Sequence, residues 1–161
     1  MNATPSNPLT IRRATPADAD VLAAYNSAMA LETERRALEP ALIGAGVRAA
    51  LADERRGIYY VAEHDGRVIG QLFITYEWSD WRNGVFWWIQ SVYVTPDARR
   101  QGVYRALHQA VAAAARQTPG VCGLRLYVER ENARAQQTYR RLGMQQTHYL
   151  LFEDDWAGTP L

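Results

Sequence analysis

The sequence predicts an α/β protein: an α+β-like, mixed and mostly antiparallel central sheet flanked by helices. Three observations predict it. Strand-like and helix-like segments follow one another in the order β-α-α-β-β-β-α-β-α-β across residues 9–153. The three central strands are joined by short turns, which makes them antiparallel, whereas strands flanking a helix are expected to run parallel. With 161 residues, 48% apolar and 22% charged, the chain suits one domain with a substantial core. Residues 1–8 read as a flexible N-terminal tail and 9–161 as that single domain.

Each element has a local reason. Residues 9–13 form a short first strand. Thr15-Pro16-Ala17-Asp18 is a helix start, with Thr15 as N-cap, Pro16 in the first turn and Asp18 complementing the dipole. Val21, Leu22, Tyr25 and Met29 then mark one apolar side of a helix running to about Leu31. Residues 32–38 are a charged connection, and a second helix spans roughly 40–53. Strands at 58–63 and 68–77 are joined by Asp65-Gly66, a hairpin signal. Residues 78–84 read as a polar-aromatic loop ending in Asn83-Gly84, and 85–94 as a long apolar strand. An Ala-rich helix is expected over about 100–117, stopped by Thr118-Pro119-Gly120. A strand at 121–128 precedes a helix over 132–142, with Asn132 as N-cap and Gly143 just past its end. Residues 144–153 are expected to complete the sheet.

Composition excludes several functions. Net charge is +1, so no strong field favours nucleic acid or an anionic membrane. All 18 basic residues are arginine, which removes any Schiff-base lysine. One cysteine cannot form an internal disulfide, and His64, His108 and His148 lack metal-ligand spacing, so no metal is expected. Cys122 reads as a buried strand residue. Residues 1–9 have neither the basic nor the apolar region of a signal peptide, and no apolar run would span a bilayer. The expectation is a cytoplasmic protein with no nucleic-acid or membrane partner.

The chemistry concentrates in two segments. In the first, Val94-Thr95-Pro96 ends a strand and Arg99-Arg100-Gln101-Gly102-Val103-Tyr104 turns into a helix. A helix start directs unpaired N–H groups and a positive dipole end at one spot, which suits phosphate, and Gly102 permits close approach. Arg99, Arg100 and Arg105 can add charge-assisted bonds. The loop alone fits equally a βα turn with a solvated basic face. In the second segment, Asn132, Ala135, Tyr139 and Gly143 share one narrow helix face at about 100° per residue. Read alone, Tyr139 is also a core aromatic with its hydroxyl at the rim, and Asn132 a plain cap.

Together these segments resemble the GNAT superfamily of acyl-CoA-dependent N-acetyltransferases. Val94, Pro96, Arg99 and Gly102 match its V-x-P and R/Q-x-x-G-x-G/A pattern. Asn132, Ala135, Tyr139, Gly143 and Met144 match its N-x-x-A-x-x-x-Y-x-x-x-G-F/M pattern. The element order from Leu9 to Glu153 is similar as well. The resemblance implies that acetyl-CoA is bound, with the main chain of Val92, Tyr93 and Val94 holding the pantetheine arm. It assigns the pyrophosphate to the amides of Arg100, Gln101, Gly102, Val103, Tyr104 and Arg105. Asn132 and Ala135 would face the cofactor, and Tyr139 would protonate the departing thiolate. Homodimers are frequent among such proteins.

Two positions depart from the pattern. Tyr104 stands where a small residue is usual, so its ring must turn away from phosphate, cover it or line the helix. Gln90 stands where many relatives place a glutamate, and an amide cannot accept a proton at neutral pH. The resemblance implies acetyl transfer to a primary amine of a small molecule or protein, by direct attack in a ternary complex. An acyltransferase using a longer acyl-CoA, and a non-catalytic acyl-CoA sensor, are the alternatives. The resemblance puts Glu32, Glu34, Trp78, Asp80, Trp81 and Gln90 at the acceptor, where acids interleaved with Trp suit a cationic amine; the same residues fit equally a solvated charged loop with Trp rings capping the core. Glu77, at the end of a strand, is the leading candidate for the missing base.

Overall fold

A computed structural model describes residues 8–156; residues 1–7, most of the expected tail, and 157–161 lie outside the described residues. The described residues form two compact bodies, one through Tyr127 and one from Val128 onward. The first body holds a sheet of five strands in the order β1-β2-β3-β4-β5. These are β1 (Thr10–Arg13), β2 (Ile58–His64), β3 (Arg67–Ser79), β4 (Gly84–Val94) and β5 (Val121–Arg125). All neighbours are antiparallel except β4 and β5, which are parallel and joined through a helix. The helices are α1 (Ala19–Glu34), α2 (Pro40–Ala52) and α3 (Val103–Gln117) in this body, and α4 (Ala133–Arg141) in the second.

The sheet is coated on both faces. On one, Leu72, Ile74, Trp87 and Ile89 pack with Val103, Leu107 and Val111 of α3. On the other, Tyr59 and Val61 pack with Leu22 of α1 and Val47 of α2. A strand without interruption would keep one parity of residue on one face. In β4 the α3-side residues are Val85, Trp87 and Ile89, and then Val92 and Val94. The switch is a β-bulge: Ile74 pairs with Ile89 and Phe73 with Ser91, leaving Gln90 as the extra residue. A buried chain of side chains fastens α1 to the sheet. Gln71 donates to Asn26 (2.8 Å), and Asn26 donates to Tyr59 (3.1 Å).

Several expectations need correction. No sixth strand forms over 144–153 among the described residues; that stretch is irregular, and Tyr149, Leu150, Leu151 and Phe152 are exposed. Its apolar residues form one run rather than an alternating pattern, so no single face is specified for a sheet. The 121–128 strand stops at Arg125. The expected 100–117 helix begins only at Val103, because Arg100 (φ 67°) and Gly102 (φ 84°) are left-handed and cannot belong to a right-handed helix. α1 continues past Leu31 to Glu34, so Glu32 and Glu34 lie in its last turn. Trp78 is on β3, and the loop after it shrinks to a 3-10 turn at Asp80–Arg82. Cys122 is exposed, on the edge strand where its register with β4 shifts.

Candidate active site

Strand β4 leaves one edge open where the cofactor was expected. Its ladder with β5 ends at the pair Trp88–Arg125, while its ladder with β3 continues to Val94. From Ile89 to Val94, therefore, the second edge of β4 has no strand partner among the described residues. Main-chain N–H and C=O groups there can bond an extended ligand, as one more strand would. The open edge runs directly into the turn that starts α3.

That turn fits a pyrophosphate. The first turn of α3 has no side-chain cap and no acidic residue, so the positive end of the helix dipole faces the turn without an anionic side chain of its own. A Cβ built on Gly102 would meet nothing within 4 Å, so the space beside the loop is open. Arg100 and Arg105 are exposed. Tyr104 does not occupy that space. Its ring packs against the α3-side core, its centroid 6.1 Å from that of the His108 ring, and its hydroxyl is buried. Of the three options for this residue, the helix-lining one is observed. Burial also lowers the His108 pKa.

Arg99, expected at the cofactor phosphates, and Glu32, expected at the acceptor, form an ion pair. Arg99 Nη2 pairs with Glu32 Oε2 at 2.7 Å, and its Nε donates to the Val94 carbonyl at 2.9 Å. Tyr93 donates to Glu32 Oε1 at 3.1 Å. Burial, then the hydrogen bond to Glu32, raise the Tyr93 pKa. A glutamate in the last turn opposes the helix dipole, which is why a sequence reading ends α1 earlier; the Arg99 guanidinium offsets that cost.

The acceptor-side residues divide between two faces. Glu77 accepts from Arg125 on one carboxylate oxygen and from the Trp88 indole N–H on the other. Arg125 lies 3.7 Å over the Phe86 ring, and Arg82 lies 5.0 Å from it. Tyr127 approaches Trp88 at 5.9 Å. Trp78, the next residue after Glu77, points to the opposite face. Trp87 is a core residue and Trp88 is the one available to a pocket. Trp81 and Asp80 sit on the exposed 3-10 turn, Glu34 is exposed at the end of α1, and Gln90 is exposed at the bulge. Arg125 was missed by sequence reasoning, although an arginine between Leu124 and Leu126 in an apolar strand was the available signal.

The second body carries the other motif. Asn132 caps α4, its Oδ1 accepting from the Ala135 amide at 3.0 Å. Gly143 (φ 87°) ends the helix, and the next amide, Met144, donates to the Tyr139 carbonyl at 3.0 Å. Tyr139 is half-buried, and burial raises its pKa, so the hydroxyl keeps its proton at neutral pH.

Comparison with known proteins agrees with this geometry. No curated protein matches the chain. A possible acetyltransferase from Clostridium difficile 630 is 41% identical, with a TM-score of 0.86 over 91% of this chain and 97% of that one. A probable acetyltransferase is 25% identical, with a TM-score of 0.79 over 91% and 99%. Aminoglycoside N-acetyltransferase AAC(6')-Iy, solved with CoA, shares the fold at 16% identity and a TM-score of 0.79, over 97% and 99%. Residues 22–144 match the acetyltransferase (GNAT) family, and with the open β4 edge leading into an uncapped α3, the chain is a member of that family.

Proposed function

We propose that this acetyltransferase moves an acetyl group from acetyl-CoA to a primary amine of a small molecule or protein, by direct attack in a ternary complex. One observation carries the reading: the Ile89–Val94 edge of β4, which has no strand partner among the described residues, runs into a helix start with no side-chain cap. An extended pantetheine arm suits the first, and a pyrophosphate suits the second. In this reading Val92 and Val94 hold the arm, the Val92 amide polarises the thioester carbonyl, and the amides at 100–105 hold the diphosphate.

The protein's task is alignment and two proton transfers. An alkylammonium has a pKa near ~10.4 and must lose a proton before its nitrogen attacks the thioester carbon. Gln90 cannot take it. Glu77 is the proposed acceptor: each of its oxygens carries one donor and keeps a lone pair for the ammonium or a bridging water. As the C–S bond breaks, Tyr139 is the proposed donor to the sulfur, in the protonated state that its burial favours, and the second proton shed by the attacking nitrogen restores the tyrosine hydroxyl through solvent. Glu34, Trp78, Asp80, Trp81 and Gln90 remain proposed acceptor contacts, while Asn132 and Ala135 are proposed to face the cofactor.

A free-thiol assay with acetyl-CoA and a panel of amines tests the proposal, with product mass showing one added acetyl group. Tight acetyl-CoA binding without thiol release from any amine would replace the enzyme with a sensor. Turnover only with a longer acyl-CoA would change the donor.

A further inference from the structure

We propose that Glu32 and Arg99 are positioning residues for the cofactor loop. The Glu32 carboxylate holds Arg99 folded back on the end of β4, and this fixes the amides at 100–105 before the donor arrives. The inference rests on the acetyl-CoA reading of that loop.

The loop needs an external hold. Arg100 and Gly102 both take left-handed backbone within three residues, at φ 67° and 84°. Arginine favours other conformations, so this arrangement persists only where surrounding contacts impose it. Two sets of contacts do so. At the near end, Arg67 pairs with Asp97, and Gln101 Nε2 donates to the Asp97 carbonyl at 2.8 Å. At the residue just before Arg100, Arg99 is held at three points. Its Nε bonds the Val94 carbonyl, its Nη2 bonds Glu32, and its guanidinium lies 5.5 Å from the Tyr93 ring. Glu32 is itself fixed by the Tyr93 hydroxyl, and the Tyr93 ring by Tyr25 at 5.0 Å. The end of α1 and the cofactor turn, 67 residues apart in sequence, are thus joined through one ion pair. An Arg99 so engaged directs its Nε and one Nη away from any phosphate, and Glu32 is occupied by a guanidinium rather than by an acceptor amine.

The competing role, Arg99 as a direct phosphate ligand, predicts an effect of opposite sign. If Glu32 merely competes for Arg99, Glu32→Gln releases the guanidinium and tightens coenzyme A. If Glu32 supports the loop, the same change loosens it. Calorimetric titration of the full chain with coenzyme A is measured for wild type, Glu32→Gln, Arg99→Gln and the double variant. Amide hydrogen exchange at residues 99–105 is followed in the cofactor-free protein. The expected result is affinity weakened roughly fivefold in each single variant and no further loss in the double. Loop exchange should be faster, and KM for acetyl-CoA should rise with kcat nearly unchanged. Unchanged or tighter binding by Glu32→Gln, or additive single effects, overturns the inference. Should Arg99→Gln fail to fold, Glu32→Gln alone decides, because that side chain is 41% exposed and its loss leaves the core intact. A wild-type protein that does not bind coenzyme A would instead overturn the underlying acetyl-CoA reading.

Discussion

Gly102 separates backbone demand from packing in one comparison. Its φ of 84° suits glycine, yet a Cβ there would touch nothing within 4 Å. Gly102→Ala therefore costs only the left-handed penalty, about 1–2 kcal/mol, less some tenths recovered from the stiffer unfolded chain. The net is about 1 kcal/mol, or ~2–4 °C in melting temperature for a chain of this size. Gly57 is the contrast. A Cβ there would sit 2.3 Å from the Ile74 carbonyl oxygen and 2.5 Å from the Phe73 ring, so strand β3 must move. Gly57→Ala should cost about 3 kcal/mol or more. The functional effects should invert. In calorimetric titration with coenzyme A, Gly102→Ala should bind about tenfold more weakly, because binding must hold alanine in the left-handed turn it disfavours. Folded Gly57→Ala should bind normally. Equal thermal losses in the two variants, or full coenzyme A affinity in Gly102→Ala, would refute the reasoning.

Three further outcomes follow from the same geometry. Asp18 is buried, accepts from Arg12 (2.8 and 3.0 Å) and from the Thr15 amide (2.7 Å), and has its pKa lowered to about 2, chiefly by Arg12. A depressed carboxylate stabilises the fold above its unfolded value near ~3.9 and loses that contribution as pH falls through about 2. Asp18→Asn should cost about 2 kcal/mol at neutral pH, with the gap to wild type closing below about pH 4 in urea unfolding; a gap independent of pH would contradict this. Glu77→Gln should lower turnover about 100-fold and remove the acidic limb of the pH–rate profile, whereas an unchanged profile takes Glu77 out of the mechanism. Tyr139→Phe should lower kcat about 100-fold while acetyl-CoA affinity holds, and full turnover would end its role as the acid.

Much of the fold was legible because its signals are local. Thr15-Pro16, Asp65-Gly66 and Asn132 each mark a boundary by their own chemistry, and each boundary stands within a few residues of its expected place. What was not legible depends on partners distant in sequence. Gln90 lies inside an unbroken apolar strand, and only the pairing of Phe73 and Ile74 with β4 shows it to be the extra residue. Glu32 looked free until Arg99 met it, and Glu77 looked like a lone acid until Arg125 and Trp88 engaged both oxygens. Tyr104 depended on which way a helix turned, and α3 turns it inward. Charged side chains predict a surface readily, but which opposite charge answers them is a tertiary fact.

The extra residue in β4 has a genetic consequence. Loss of the single codon for Gln90 would leave the reading frame, the strand propensity and almost all of the composition intact. Ile74 would still face Ile89 and Phe73 would still face Ser91, so the bulge would become a regular ladder, with Val85, Trp87, Ile89, Val92 and Val94 all keeping the α3 side. What would be lost is the local bend and extra twist that the bulge gives the strand just before its open edge. An in-frame deletion there should therefore leave a folded protein, with its effect confined to the course of β4 along the proposed coenzyme A edge.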